Sequence, residues 1–292
     1  MDFGPFLLLA LMEGTVMAAV LALTAVGLSL VFGVMRVVNV AHGAFFMLGA
    51  VVAWFVTQAI PGPPALGFAA ALILGPLIVG AIAALSDTLI LKRLSYDPEA
   101  TIVATIGLSY ILQQAALTFY GPGARPVPAP FDLRLQLLWF GYSGYKIAVV
   151  FAAILILLAV WVLMTRTRAG LIMRATQLDR ATARAFGINV DRVYAGVFAL
   201  GAALAAVAAV PIVPIRQAHY LMGEDPLLLS FIVVIIGGLG SLRGTLVAAL
   251  IIGLSDGVIS MFFSPTLAKI FATLLVAMVL VFRPQGLFGA RT

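Results

Sequence analysis

The chain's only imidazoles, His42 and His219, stand far apart, and there is no cysteine. No His-x-x-x-His spacing or carboxylate–histidine pair is present, so the sequence offers no metal site and no disulfide. The glycine-rich stretch Gly237–Gly244 looks suited to phosphate, but it lacks the lysine of G-x-x-x-x-G-K-[ST]. It also places Arg243 where G-x-G-x-x-G needs glycine. Any ATP-driven work therefore needs a nucleotide site on another subunit. Three acidic residues interrupt apolar runs, Glu13, Asp87 and Asp256, and such residues are the usual sign of ion coupling. Asp87 lies about one turn from Lys92, a spacing that predicts an ion pair. Glu13 reads as wet, near the end of its run. Asp256 sits deeper, and a packing role and a transport role fit it equally. Nothing resembles a proton relay along one helix, and no catalytic constellation exists.

The elements that must position these groups are membrane helices. Of 292 residues, 63% are hydrophobic and only 10% charged, too little charge to cover a soluble domain of this size. The runs have helical length and no ten-residue alternation, which excludes a barrel. We expect an all-α, polytopic helical membrane protein of about eight to nine transmembrane helices, some broken or short, forming one domain over 1–292. The start is a poor signal peptide, with Asp2 and no basic n-region, and no soluble domain is expected at either end.

Apolar runs cover about 6–34, 44–60, 66–91, 101–120, 145–165, 193–215, 227–236, 245–263 and 265–282. The seventh is too short to span comfortably alone, so it is a half-helix or a span completed by its neighbours. A Pro- and Gly-rich loop fills about 121–143, and Trp139, Tyr142 and Tyr145 near its end suit a membrane–water boundary. Glu224 and Asp225 read as an exposed acidic loop.

The regions 35–43, 92–100, 166–192, 241–244 and the C-terminus hold twelve of the seventeen Lys and Arg residues. By the positive-inside rule they are cytoplasmic, and 121–143 and 216–226 lie outside. The N-terminus is outside if 227–239 crosses fully, and the parity changes if that run only re-enters. The net charge of +6 reflects this topology, not nucleic-acid binding.

Arg166 to Arg192 is a basic, amphipathic island with six of those residues. It reads as a helix with an alanine face, Ala181, Ala183 and Ala185, ending at Gly187, suited to docking on a second protein. Asn39 and His42 fall where the first run breaks. Their side chains could satisfy freed backbone groups or could line an inner gate. The stretches 27–50 and 233–254 share a weak pattern of an apolar run broken by a Gly/Arg element, which marks a translocation path in some transporters. Abundant membrane glycine explains the pattern as well.

Four motifs carry a resemblance. G-L-S-L-V-F-G-V-M-R-V-V-N-V-A-H-G-A-F-F-M-L-G-A at 27–50 resembles the signature of LivH-type permeases of branched-chain amino-acid ABC importers. R-A-T-Q-L-D-R-A-T-A-R-A-F-G-I-N at 174–189 is similar to that family's cytoplasmic coupling loop. G-G-L-G-S-L-R-G-T at 237–245 and V-F-R-P-Q-G-L-F-G at 281–289 match in order. The resemblance covers nearly the whole chain.

It implies a non-enzymatic permease subunit of a bacterial inner membrane, with no cofactor of its own and ATP held by partner subunits. The implied partners are a second permease chain, usually of different sequence in this family, two ATPase subunits and a soluble substrate-binding protein, in contact with membrane lipid. The implied substrates are branched-chain amino acids, other amino acids, amides or urea. The coupling helix then spans about 177–186, with Gln177, Asp179, Arg180, Ala181, Ala183, Arg184 and Gly187 engaging the ATPase. Gln177-Leu178-Asp179-Arg180 stands where the family usually has a Glu-Asn or Glu-Asp type pair. The expected path or gate is Asn39, His42, Gly43, Gly237, Gly238, Gly240 and Gly244, with mostly apolar walls and no buried charge cluster. The competing readings are an ion-coupled secondary transporter acting alone and a channel or scaffold. The first needs deep charges, and the second a repeated filter.

Overall fold

The structure is a computed structural model that describes residues 3–137 and 140–288; Trp139 and Gly289 lie outside the described residues. The fold is a helical bundle. Helices α1 (Phe3–Met35), α2 (His42–Ala59), α3 (Pro64–Ser86), α4 (Pro98–Phe119) and α5 (Gly144–Arg166) precede two short helices, α6 (Arg168–Leu178) and α7 (Arg180–Ala185). Then come α8 (Val190–Arg216), α9 (Glu224–Gly237), α10 (Leu242–Phe262) and α11 (Pro265–Phe282). One π-helical turn, Asp87–Leu91, prolongs α3. Among the described residues, eight helices are long and apolar enough to cross a membrane, which makes this a multi-pass membrane protein. Between α4 and α5 the expected loop contains an antiparallel hairpin pairing Arg134–Leu137 with Phe140–Ser143.

The helix limits follow from local chemistry. Pro stands in the first turn of α3, α4 and α11, where its missing N–H costs nothing. Asp97, Ser241 and Ser264 accept N-terminal amides of α4, α10 and α11. Helix α9 ends at Gly238, at φ 100°, a conformation glycine adopts without strain.

Helix α1 is the central post, packed on α5, α8, α9 and α10. The chain leaves it through Arg36, at φ 57°, and runs back along it. His42, at the start of α2, reaches the Thr24 carbonyl at 2.8 Å. Thr24 lies eleven residues before the end of α1, or about 16 Å at 1.5 Å per residue. Helix α2 therefore begins deep within the bundle. The same happens in reverse after α8: Gly223, just before α9, packs on Gly43, so α9 also begins at mid-depth. The 14-residue α9 completes a crossing only with the returning segment before it.

The two halves are related by inversion. Helix α1 packs on α10 as α8 packs on α3, and α2 sits against α8 as α9 sits against α1. The elements that correspond are α1–α4 and α8–α11, running in opposite directions, with Gly27–Gly201 and Gly43–Gly223 at the centre. This pairing sets α1–α2 against α8–α9, a different correspondence from the weak sequence pattern shared by 27–50 and 233–254. Inverted repeats with broken helices at mid-depth are a transporter architecture.

The basic island and Arg36, Lys92 and Arg243 gather at one end, where shared cavities and ion pairs join them. Glu13, Lys146, Arg216, Asp225, Asp256 and Lys269 gather at the other. Tyr142 and Tyr145 are buried within the protein, and the Tyr145 hydroxyl donates to the Pro211 carbonyl at 2.7 Å.

Candidate coupling surface and translocation elements

At the basic end the island is two helices, not one. Asp179 separates them, and it caps α7 by accepting from the Ala181 amide at 2.8 Å and the Thr182 hydroxyl at 2.5 Å. These bonds, the Thr182 hydroxyl foremost, hold its carboxyl below the usual carboxylate range. Gly187, at φ 83°, ends the second helix. The alanine face is corrected: residues 181 and 185 share one exposed face, whereas Ala183 lies on the opposite side, 4% exposed and packed into the bundle. Two large apolar side chains stand free beside the exposed face, Leu178 at 83% and Phe186 at 82% exposure. Arg180 and Arg184 are exposed with them. Sequence reading missed Leu178 and Phe186. The signal was available, since both flank a charged helix with no apolar neighbour to meet.

The module is tied to the bundle through charge. Arg184 donates to Asp191 Oδ1 at 3.1 Å, and Lys92 Nζ sits 3.3 Å from Asp191 Oδ2. The expected Asp87–Lys92 pair does not form, because Lys92 is drawn to Asp191. Asp87 is buried and accepts from the Tyr96 hydroxyl at 3.3 Å. Tyr96 packs edge-on against Tyr194, centroids 4.7 Å apart. Burial pushes the Tyr96 phenol up, and the nearby Asp87 carboxylate adds to it. A chain of contacts thus runs from α7 through α8 to the end of α3.

Gln177 links this surface to the broken elements. A cavity of about 230 Å³ is lined by Gly33, Gln177, Gly240 and Arg243, among others. Gly33 and Gly240 meet so closely that a Cβ on Gly33 would lie 3.1 Å from the Gly240 Cα. Further up, Gly237 packs on Gly244 and Gly43 on Gly223; a Cβ on Gly223 would lie 1.8 Å from the Gly43 oxygen. Gly238 carries the turn out of α9, and Gly286 of the C-terminal segment packs on it. Of the seven residues expected along a path, Gly240 borders an open cavity, while Gly43, Gly237, Gly238 and Gly244 hold backbones together.

His42 and Asn39 are fully buried. A carbonyl only accepts, so His42 Nε2 carries the proton toward Thr24. Asn39 satisfies no backbone group with its side chain: its amide nitrogen and oxygen have no partner among the described residues, nor does His42 Nδ1. Glu13, expected to be wet, pairs with Lys146 at 2.6 Å, and Asp256 lines an end cavity with Arg216 and Lys269. No group of three metal-ligating side chains occurs among the described residues.

Comparison with known proteins agrees with this architecture. The family model described as "Branched-chain amino acid transport system / permease component" matches residues 10–281. The chain is 27% identical to the high-affinity branched-chain amino acid transport permease LivH of Escherichia coli K12, over 97% of this chain and 96% of the relative. It is 27% identical to BraD of Pseudomonas aeruginosa, over 96% and 94%. It is 26% identical to the probable LivH of Methanocaldococcus jannaschii, over 96% and 92%. The match runs from the central post through the island to the last helix, so the chain belongs to the permease-component family of branched-chain amino acid transport systems and is a transport subunit rather than an enzyme.

Proposed function

We propose that this chain moves branched-chain amino acids, or related small polar solutes such as other amino acids, amides or urea, inward across a bacterial inner membrane. It does so as one permease of an ABC importer. A second permease chain of different sequence completes the membrane part. A soluble binding protein delivers substrate at the end opposite the island, and two ATPase subunits dock at the basic end, where they bind and hydrolyse ATP.

The observation that carries this reading is the α6–α7 module. Its apolar side chains Leu178 and Phe186 stand in solvent while Ala183 anchors it. Exposed large apolar groups on a charged surface mark a protein interface. The ATPases would move the module between two positions, and the Arg184–Asp191–Lys92 chain and the cavity shared by Gln177 and Gly240 would pass that motion to α3, α8 and α9. The energy comes from how differently ATP binds the two states. An ion-coupled transporter has less support, because the acidic groups sit near the ends of the spans and beside basic or phenolic partners.

Site-specific crosslinking tests the docking. Ala185→Cys, in a chain with no native cysteine, is expected to crosslink to an ATPase subunit in the assembled complex. Crosslinking only to the binding protein would overturn the assignment.

A further inference from the structure

We propose that a cavity at the end opposite the island, between Arg216 and Asp225, binds an aliphatic amino acid as its zwitterion; this rests on the amino-acid transport reading above. Two cavities meet there and share Met17, Arg216 and Asp225. The smaller, about 90 Å³, is walled by Val20, Leu21, Phe46 and Ile212, with His219 at its rim. The larger, about 340 Å³, also takes in Glu13, Asp256 and Lys269. One arm is thus apolar and the other charged. By the measure that one water needs about 10–15 Å³, the apolar arm holds several waters, enough for a short branched side chain.

Both charged groups at the junction have free capacity. The Arg216 guanidinium reaches the Met17 sulfur at 3.9 Å and makes no ion pair among the described residues, although its charge also acts on Asp256 across the charged arm. Asp225 accepts from Lys269 at 2.7 Å through Oδ1, and its Oδ2 has no protein donor among the described residues. A carboxylate matches the planar guanidinium fork, and an ammonium matches Oδ2. With both engaged, the side chain of the amino acid enters the arm lined by Val20, Leu21, Phe46 and Ile212. The floor of that arm is made by Thr24 and Met222, next to His42 and Gly223. The ligand therefore waits directly above the Gly43–Gly223 contact, which must part for passage. Urea and neutral amides carry neither charge and gain nothing from this arrangement. Sequence reading expected no such cluster, because its members are scattered over α1, α8, α9, α10 and α11.

The test is saturation-transfer NMR on the purified full chain in nanodiscs, with L-leucine, 4-methylpentanoate, 3-methylbutylamine and urea as probes. Leucine uptake by the assembled transporter is measured in parallel. Leucine is expected to bind saturably, and the two single-charge analogues about tenfold more weakly or not at all. R216Q and D225N are each expected to weaken leucine about tenfold or more. Arg216 is exposed with one weak contact, so R216Q removes charge without emptying the core, and R216K, which keeps the charge but not the fork, is expected to fall between. Leucine uptake without saturable leucine binding, or binding indifferent to R216Q and D225N, overturns the site and leaves the transport reading standing. Absence of uptake of leucine and of every other solute named above by the wild-type transporter overturns both.

Discussion

Arg184 of the short helix α7 donates to Asp191 of α8 across 3.1 Å, and Lys92, beyond α3, holds the other carboxylate oxygen at 3.3 Å. One carboxylate thereby ties the docking module to two membrane helices. These side chains are partly exposed, so the pair contributes little to stability, on the order of 0–1 kcal/mol. Asp191→Asn is expected to leave the melting temperature nearly unchanged and to lower the solute transported per ATP hydrolysed. Paired uptake and ATPase assays on the reconstituted complex read that ratio; an unchanged ratio removes this link.

Phe186 and Leu178 are expected to be anchors for the ATPase. Burying one large apolar side chain contributes about 1.5–3 kcal/mol, so Phe186→Ala should weaken ATPase association roughly 10- to 100-fold without disturbing the fold. Ala183→Leu behaves differently. It overpacks a buried contact, at about 1–3 kcal/mol, and should displace α7 itself. Binding measurements with the isolated ATPase and a melt of each variant separate the two effects.

Asp179 should set the order of α7. Its carboxyl is held below the usual range in the folded chain, so its capping contribution is present above the ordinary carboxylate pKa and is lost as pH falls through the lowered value. Asp179→Ala should speed hydrogen exchange at the Ala181 amide near neutral pH, and Asp179→Asn, itself a good cap, should do so less. Equal exchange in all three would show that the cap is idle.

Gly43 and Gly223 should tolerate no side chain. A Cβ on Gly223 meets the Gly43 oxygen at 1.8 Å, whereas a Cβ on Gly107 meets nothing within 4 Å. Gly223→Ala should prevent recovery of folded protein, and Gly107→Ala should be neutral or stabilise by up to about 1 kcal/mol, as expected in a helix interior. Detergent-stable yield of the two variants, compared by size-exclusion chromatography, decides the point.

Composition and run length were enough to read the helical membrane class, because the bilayer sets the length and hydropathy of each span. The shortness of 227–236 also pointed to a half-helix or to a span completed by its neighbours, and the 14-residue α9 crosses only together with the segment returning before it. The depth at which α2 and α9 begin was not legible, since it depends on the Gly43–Gly223 contact between distant parts of the chain. Asp87 was misassigned for a similar reason: local spacing favoured Lys92, and Asp191, about a hundred residues away, took that lysine. The island was found from its charge, but its division at Asp179 and the inward turn of Ala183 depend on packing. The pairing of α1–α4 with α8–α11 was not legible, because its matching residues are single glycines, Gly27 with Gly201 and Gly43 with Gly223, which do not stand out among the 28 glycines of the chain.

The most direct test of the central claim is what drives uptake. The chain is reconstituted in proteoliposomes with its partner permease, ATPases and binding protein, and labelled leucine is followed while ionophores collapse the proton and ion gradients. Uptake is expected to require ATP and the binding protein and to persist without the gradients. Uptake by this chain alone, driven by an ion gradient and indifferent to ATP, would contradict it.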